Sequence, residues 1–128
     1  MNLQLLKDKY TVARLEAKAA VPDWAQAETD FVSISRSRHE LSIVCKEGLA
    51  PANVKQEGNW RILQVEGQLD FGLVGILASI AAPLANAGIS IFAVSTFDTD
   101  YVMIKQDKVD AALAALRGSG HTVTFEQA

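Results

Sequence analysis

The residues best equipped for chemistry sit in "STFDTDY", Ser95 to Tyr101, where Asp98 and Asp100 stand among small hydroxyl side chains between two apolar runs. Paired carboxylates can hold a hard cation, move a proton or receive an ammonium group. With Asp107 and Asp110 they make an acidic series, but the glycine and the closing glutamate of a calcium loop are missing, so no metal site is expected. Asp98 beside Thr99 also suits ordinary turn chemistry, in which an aspartate bonds its own backbone. A second polar stretch, "GQLDFG" from Gly67 to Gly72, sets Asp70 before a long apolar run. Other reactive side chains lack partners. Cys45 lies in the alternating "LSIVCKEG" and suits a small buried strand position, while a nucleophilic role would need a base and an orienting group. His39 and His121 have no companion at metal-ligand spacing, and no phosphate-binding glycine loop appears. An acylphosphatase-like activity would want an arginine in the loop after the strand that opens the second half, where Asp70 stands instead. Catalytic residues, metals and cofactors are therefore not expected, and the chain is read as a non-enzyme.

The 128 residues suffice for one ordinary domain or two very small ones. Residues 1–59 carry eight basic and eight acidic groups, and residues 60–128 carry four basic and seven acidic. An acidic half poor in lysine is a weak surface for phosphate backbones, and "IFAVSTF" has aromatics without the interleaved basic residues of an RNA-binding sheet, so no nucleic acid is expected. The N-terminus lacks the basic-then-apolar run of a secretory signal, and a single cysteine makes no internal disulfide, so a cytoplasmic location is the default expectation.

These side chains need elements to position them. "GLVGILASIAAPLANA", Gly72 to Ala87, is sixteen residues long and holds Pro83, short of the roughly 20 needed to cross a bilayer. It is expected to be a helix covered on both sides: Leu73, Ile76, Leu77, Ile80 and Leu84 form the large-residue face, and the small residues opposite pack on a second helix or another subunit. Gly88 stands where a left-handed residue would close it. Trp60–Glu66, "ISIFAVST", "YVMIKQ" and "HTVTF" read as strands, and Lys108–Leu116 as a helix with Val109, Leu113 and Leu116 on one face. The order is βαββαβ, a ferredoxin-like α+β pattern.

The first half echoes the second. "YTVARLEA" lies over "WRILQVEG", and "ISRSRHELSIV" lies without gaps over "VSTFDTDYVMI", pairing Ser35 with Ser95 and Glu40 with Asp100. The first copy must have shortened helices, with "PDWAQA", Pro22–Ala27, as the stub of the first, and residues 48–59 have no assignment. The two units expected are a degenerate one at 1–59 and a complete one at 60–128. The basic turn Arg36–Ser37–Arg38 is either a solvated face, a partner for the acidic turn across a two-fold axis, or a seat for a ligand's anionic end.

"VEGQLDFGLVGILASIAAPLANAGISIFAVSTFDTDYVMI" resembles the ACT domain, in the variant found in CASTOR-type arginine sensors and in small stand-alone bacterial proteins related to aspartate kinase regulatory parts. The resemblance covers the second half closely and the first half loosely, through "ELSIVC". It implies tandem ACT units that bind a small ligand, usually an amino acid, at an interface between units, without catalysis. The ligand residues it implies are Asp70, Phe71, Gly72, Leu73, Thr96, Phe97, Asp98 and Asp100, with "STF" and the acid at Asp100 matching the family's pattern. Elementary chemistry agrees, because unpaired amides at a helix start favour a carboxylate and Asp70 with Asp100 would receive an ammonium. Asp70 has a competing role as helix N-cap, worth about 1 kcal/mol, and Phe71 and Leu73 have one in the core. The shortened first copy makes a homodimer the expected way to complete a site. The alternative is a dimerisation or protein-interaction module whose ligand site is vestigial.

Overall fold

The structure is a computed structural model that describes residues 1–67 and 74–127. In chain order its strands are β1 (Asn2–Leu5), β2 (Tyr10–Leu15), β3 (Ser33–Arg36), β4 (Leu41–Lys46), β5 (Gln56–Val65), β6 (Phe92–Ser95), β7 (Asp100–Lys105) and β8 (Thr122–Phe125). Two helices, α1 (Ile76–Asn86) and α2 (Val109–Gly118), follow β5 and β7. The chain divides into two compact units, one of residues 8–60 and one of residues 1–7 with 61–128, and β5 supplies strand to both.

In the unit of residues 8–60 the strand order is β3-β4-β2-β5. This is the ferredoxin-like order with helices cut short: Asp23–Gln26 is a single 3-10 turn where the sequence placed a helix stub. No helix lies between β4 and β5; a turn takes its place, and the unassigned residues 48–59 hold this turn and the start of β5. Alternation along β2 and β4 turns Ala13, Leu41, Ile43 and Cys45 to one face, where Ala25 of the 3-10 turn and Ala50 cover them.

The unit of residues 1–7 and 61–128 has the order β8-β1-β5-β7-β6. Four of these strands are the expected βαββαβ set, and β1 is an addition. It inserts between β5 and β8, antiparallel to the first and parallel to the second, with Asn2 opposite Thr122 and Leu5 opposite Phe125. Its signal was the short alternation "NLQL". Leu3, Leu5, Leu63, Val65, Val102 and Ile104 share the face on which Ile80 and Leu84 of α1 and Val109, Ala112, Leu113 and Leu116 of α2 pack. Arg61 fastens the added strand, donating from Nη2 to the Leu6 carbonyl at 2.7 Å and from Nη1 to Gln106 Oε1 at 3.1 Å.

α1 corrects the sequence reading in two respects. Its first turn begins at Ile76, with Gly75 before it at φ 77°, four residues later than the expected start at Gly72. Within the single chain Ile80 and Leu84 are buried, while Ala78, Ser79, Ala82 and Ala85 are exposed, so the small-residue face is not packed on a second helix of this chain. The closing motif is as expected. Gly88, at φ 75°, lets its own N–H reach the Ala85 carbonyl at 3.0 Å and the Ile89 N–H reach Leu84 at 2.9 Å. Pro83 has no N–H for the Ser79 carbonyl one turn earlier, and the imidazole Nε2 of buried His121 bonds that oxygen at 2.9 Å instead.

Candidate functional site

The polar hairpin joins β6 to β7. The last cross-strand pair is Ser95 opposite Asp100, and the Thr96 N–H donates to the Thr99 carbonyl at 2.9 Å, leaving Phe97 and Asp98 at the tip. Thr96 braces the turn: its hydroxyl donates to the Thr99 carbonyl at 3.0 Å and accepts from the Thr99 N–H at 3.4 Å. Thr99 is in fact 4 % exposed, and its hydroxyl donates to the Val65 carbonyl at 2.8 Å. The turn is thereby pinned to the end of β5, from which the chain runs on towards residues 68–73.

Register then separates the two acids. Asp100 shares the two-residue period of Val102 and Ile104, so it stands on the face of the sheet that the helices cover. Ser95, directly across, donates its hydroxyl to Asp100 Oδ1 at 2.5 Å. A carboxylate offers about four acceptor positions, so Asp100 keeps capacity for a cationic group while Ser95 fixes its rotamer. Asp98 belongs with Tyr101, whose side chain takes the opposite face. Burial pushes the Tyr101 phenol up, and the Asp98 carboxylate adds to the rise. Phe97 is 72 % exposed at the tip.

Of the residues expected in a ligand site, Thr96, Phe97, Asp98 and Asp100 thus lie together on one hairpin, with Asp98 and Asp100 turned to different neighbours. Asp70, Phe71, Gly72 and Leu73 lie outside the described residues. Sequence reasoning passed over Ser95, Thr99 and Tyr101 as functional side chains; the signal for Thr99 was a hydroxyl one step before a strand whose later residues enter the core.

The remaining candidates are engaged in the fold. Cys45 is fully buried and its thiol is pushed up by burial, against a smaller opposing effect of a hydrogen bond from the Ala50 backbone, so it is a poor nucleophile. His121 is occupied with the helix carbonyl, and among the described residues no three His, Cys, Asp or Glu side chains gather as a metal site. No helix among the described residues is long and apolar enough to cross a membrane.

A profile of the ACT domain matches residues 55–118, from the start of β5 to the end of α2. The chain belongs to the ACT domain family. A second profile, of an N-terminal domain with no stated role, matches residues 8–53 in the other unit. Over 59 residues, 45 % of this chain, the sequence is 39 % identical to the human cytosolic arginine sensor for mTORC1 subunit 1. The matched segment spans 18 % of that sensor's length. A crystal structure of a protein from Agrobacterium tumefaciens, 36 % identical, superposes with a TM-score of 0.93 over 99 % of this chain and 94 % of that one. The regulatory subunit of aspartate kinase from Thermus thermophilus, in its ligand-free form, superposes with a TM-score of 0.60 at 12 % identity over 88 % of this chain and 93 % of that one, a likeness of fold. The ACT unit here departs from the plain βαββαβ order by the strand inserted between its first and last.

Proposed function

We propose that this ACT protein is a non-catalytic, cytoplasmic regulatory protein that binds a small ligand of the amino-acid class, and that the β6–β7 hairpin receives the ligand's cationic group. The observation that carries the reading is the Ser95–Asp100 pair: a carboxylate held in one rotamer on the helix side of the sheet, at the lip of a turn anchored to β5. An ammonium or guanidinium gains most from an acceptor already oriented, because less side-chain entropy is lost on binding. The printed name of the mammalian relatives, a cytosolic arginine sensor, and the regulatory subunit among the fold neighbours support the same class of role. Buried Cys45 and the engaged His121 support the absence of catalysis.

A thermal-shift series with each common amino acid tests the reading on the intact protein. A ligand that binds the folded state at 100 times its dissociation constant adds about 2.7 kcal/mol of stability. Asp100→Ala should remove that shift while changing the unliganded stability by less than about 1 kcal/mol, as for a half-exposed residue beside a turn. If no amino acid shifts the transition, the module that only dimerises or docks on a partner replaces this proposal.

A further inference from the structure

One end of the unit of residues 8–60 gathers two stretches, residues 14–18 at the close of β2 and residues 36–40 in the β3–β4 turn. Strand pairing brings them there, because Leu15 and Arg36 flank Leu41 from the two sides of β4. Two reciprocal hydrogen bonds then tie the stretches together. Arg14 donates from Nη2 to the His39 carbonyl at 3.0 Å, and Arg36 donates from Nη1 to the Ala17 carbonyl. Each arginine is thereby anchored one residue from a further cation of the opposite stretch, Arg14 next to Arg38 and Arg36 next to Lys18. All four residues are exposed. A carbonyl fixes a guanidinium without cancelling its charge, and most of its five N–H donors stay available. Glu16, 4.0 Å from Arg14, has a side chain 91 % exposed, so that pair is worth little. Among the described residues no carboxylate pairs with Lys18, Arg36 or Arg38.

We infer that this end of the unit docks a short acidic segment of a partner protein, its carboxylates received by the anchored forks of Arg14 and Arg36 and by the untethered cations Arg38 and Lys18. Guanidinium groups take carboxylates through parallel N–H···O pairs, and the two already anchored lose less side-chain entropy on binding. Charge balance favours a short occupant. The two stretches hold four cations against Glu16 and Glu40, a net +2, whereas the chain totals −3, which leaves −5 for all other residues. Nucleic acid or an anionic membrane extends beyond four cations and meets a chain that is otherwise acidic, while a short acidic segment ends where the cations end. Attraction of this kind steers the partner in and fades with salt.

Fluorescence anisotropy of a labelled hexaglutamate peptide, titrated with the full chain at low ionic strength, tests this. The peptide should bind, and added salt should release it. Lys18→Glu together with Arg38→Glu should weaken binding about 10-fold or more. Neither side chain makes the bonds that tie the stretches, so circular-dichroism melting should be unchanged in that variant. Lys7→Glu together with Lys9→Glu makes the same change in net charge at exposed positions outside the two stretches, and should alter binding by less than about 2-fold. Absence of binding overturns the inference, as does an equal loss in the Lys7 and Lys9 variant. So does tighter binding of an oligothymidylate of matched charge, or of vesicles rich in anionic lipid, than of hexaglutamate. No amino-acid ligand enters the measurement, so its failure leaves the reading of the β6–β7 hairpin untouched.

Discussion

The β3–β4 hairpin and the β6–β7 hairpin close by the same backbone bond, Ser37 N–H to Glu40 carbonyl and Thr96 N–H to Thr99 carbonyl, both at 2.9 Å. In each the first turn residue braces the bend with its hydroxyl, Ser37 accepting from the His39 and Glu40 amides and Thr96 bonding Thr99 in both directions. Laid over one another by these turns, Leu41 takes the place of Asp100 and Arg36 the place of Ser95, because the closing cross-strand pairs are Arg36–Leu41 and Ser95–Asp100. The ungapped sequence match had put Glu40 over Asp100, one residue away. One residue in a strand is the difference between a side chain inside and a side chain outside. Leu41 is fully buried in its unit's core, whereas its counterpart Asp100 remains half-exposed beside a serine. The same turn thus serves as a core closure in one unit and as a polar lip in the other.

The sharpest way to break that equivalence is to exchange the counterparts. Leu41→Asp should cost about 4 kcal/mol or more, since it buries an unpaired carboxylate at a fully covered position. Asp100→Leu should cost less than about 1 kcal/mol, because the position is only half-covered. Urea unfolding of the two variants measures both, and equal losses would refute the contrast between a core closure and a half-exposed polar position. A smaller contrast concerns the next pair. Thr99→Val leaves the buried Val65 carbonyl without its hydroxyl donor and should cost about 1–3 kcal/mol. Its counterpart Glu40 is half-buried, and Glu40→Ala should change stability by less than about 1 kcal/mol in the same measurement.

The inventory of elements was legible because it rests on local patterns. Gly88 marked the end of α1, "PDWAQA" marked the helix stub, and the spacing of Val109, Leu113 and Leu116 marked the buried face of α2. Registers were not legible, because alternation is unchanged when two strands slide past one another by one position and only the turn bonds decide the count. Thr99 was hidden for the same reason: "DTD" looks like a solvated turn until its middle residue is seen to donate to β5. Nor did any local signal reveal that "NLQL" would pair with residues 122–125 at the far end of the sequence. Of the candidate site, the grouping of acids and hydroxyls on one hairpin was legible, whereas the split of Asp98 and Asp100 onto different neighbours follows from strand geometry.

The smallest effect sharpens that split. The folded state holds the Tyr101 proton more tightly than the unfolded chain, so the phenol's contribution is intact below about pH 10 and is lost as pH rises from there through the raised folded value. Tyr101→Phe should flatten the alkaline decline in melting temperature. Asp98→Asn should lower the tyrosinate titration seen by ultraviolet absorbance, and Asp100→Asn should leave it in place. A shift with Asp100→Asn instead would mean that the two carboxylates share one environment.

The inserted strand carries a consequence for the order of events during synthesis. Residues 8–60 are contiguous and can collapse as soon as they leave the ribosome, whereas the ACT unit's sheet has at its interior a strand made first, next to an edge strand made last. Until residues 122–125 emerge, β1 has no neighbour on that side, and the growing chain must carry its unpaired edge while the whole of the unit of residues 8–60 is made.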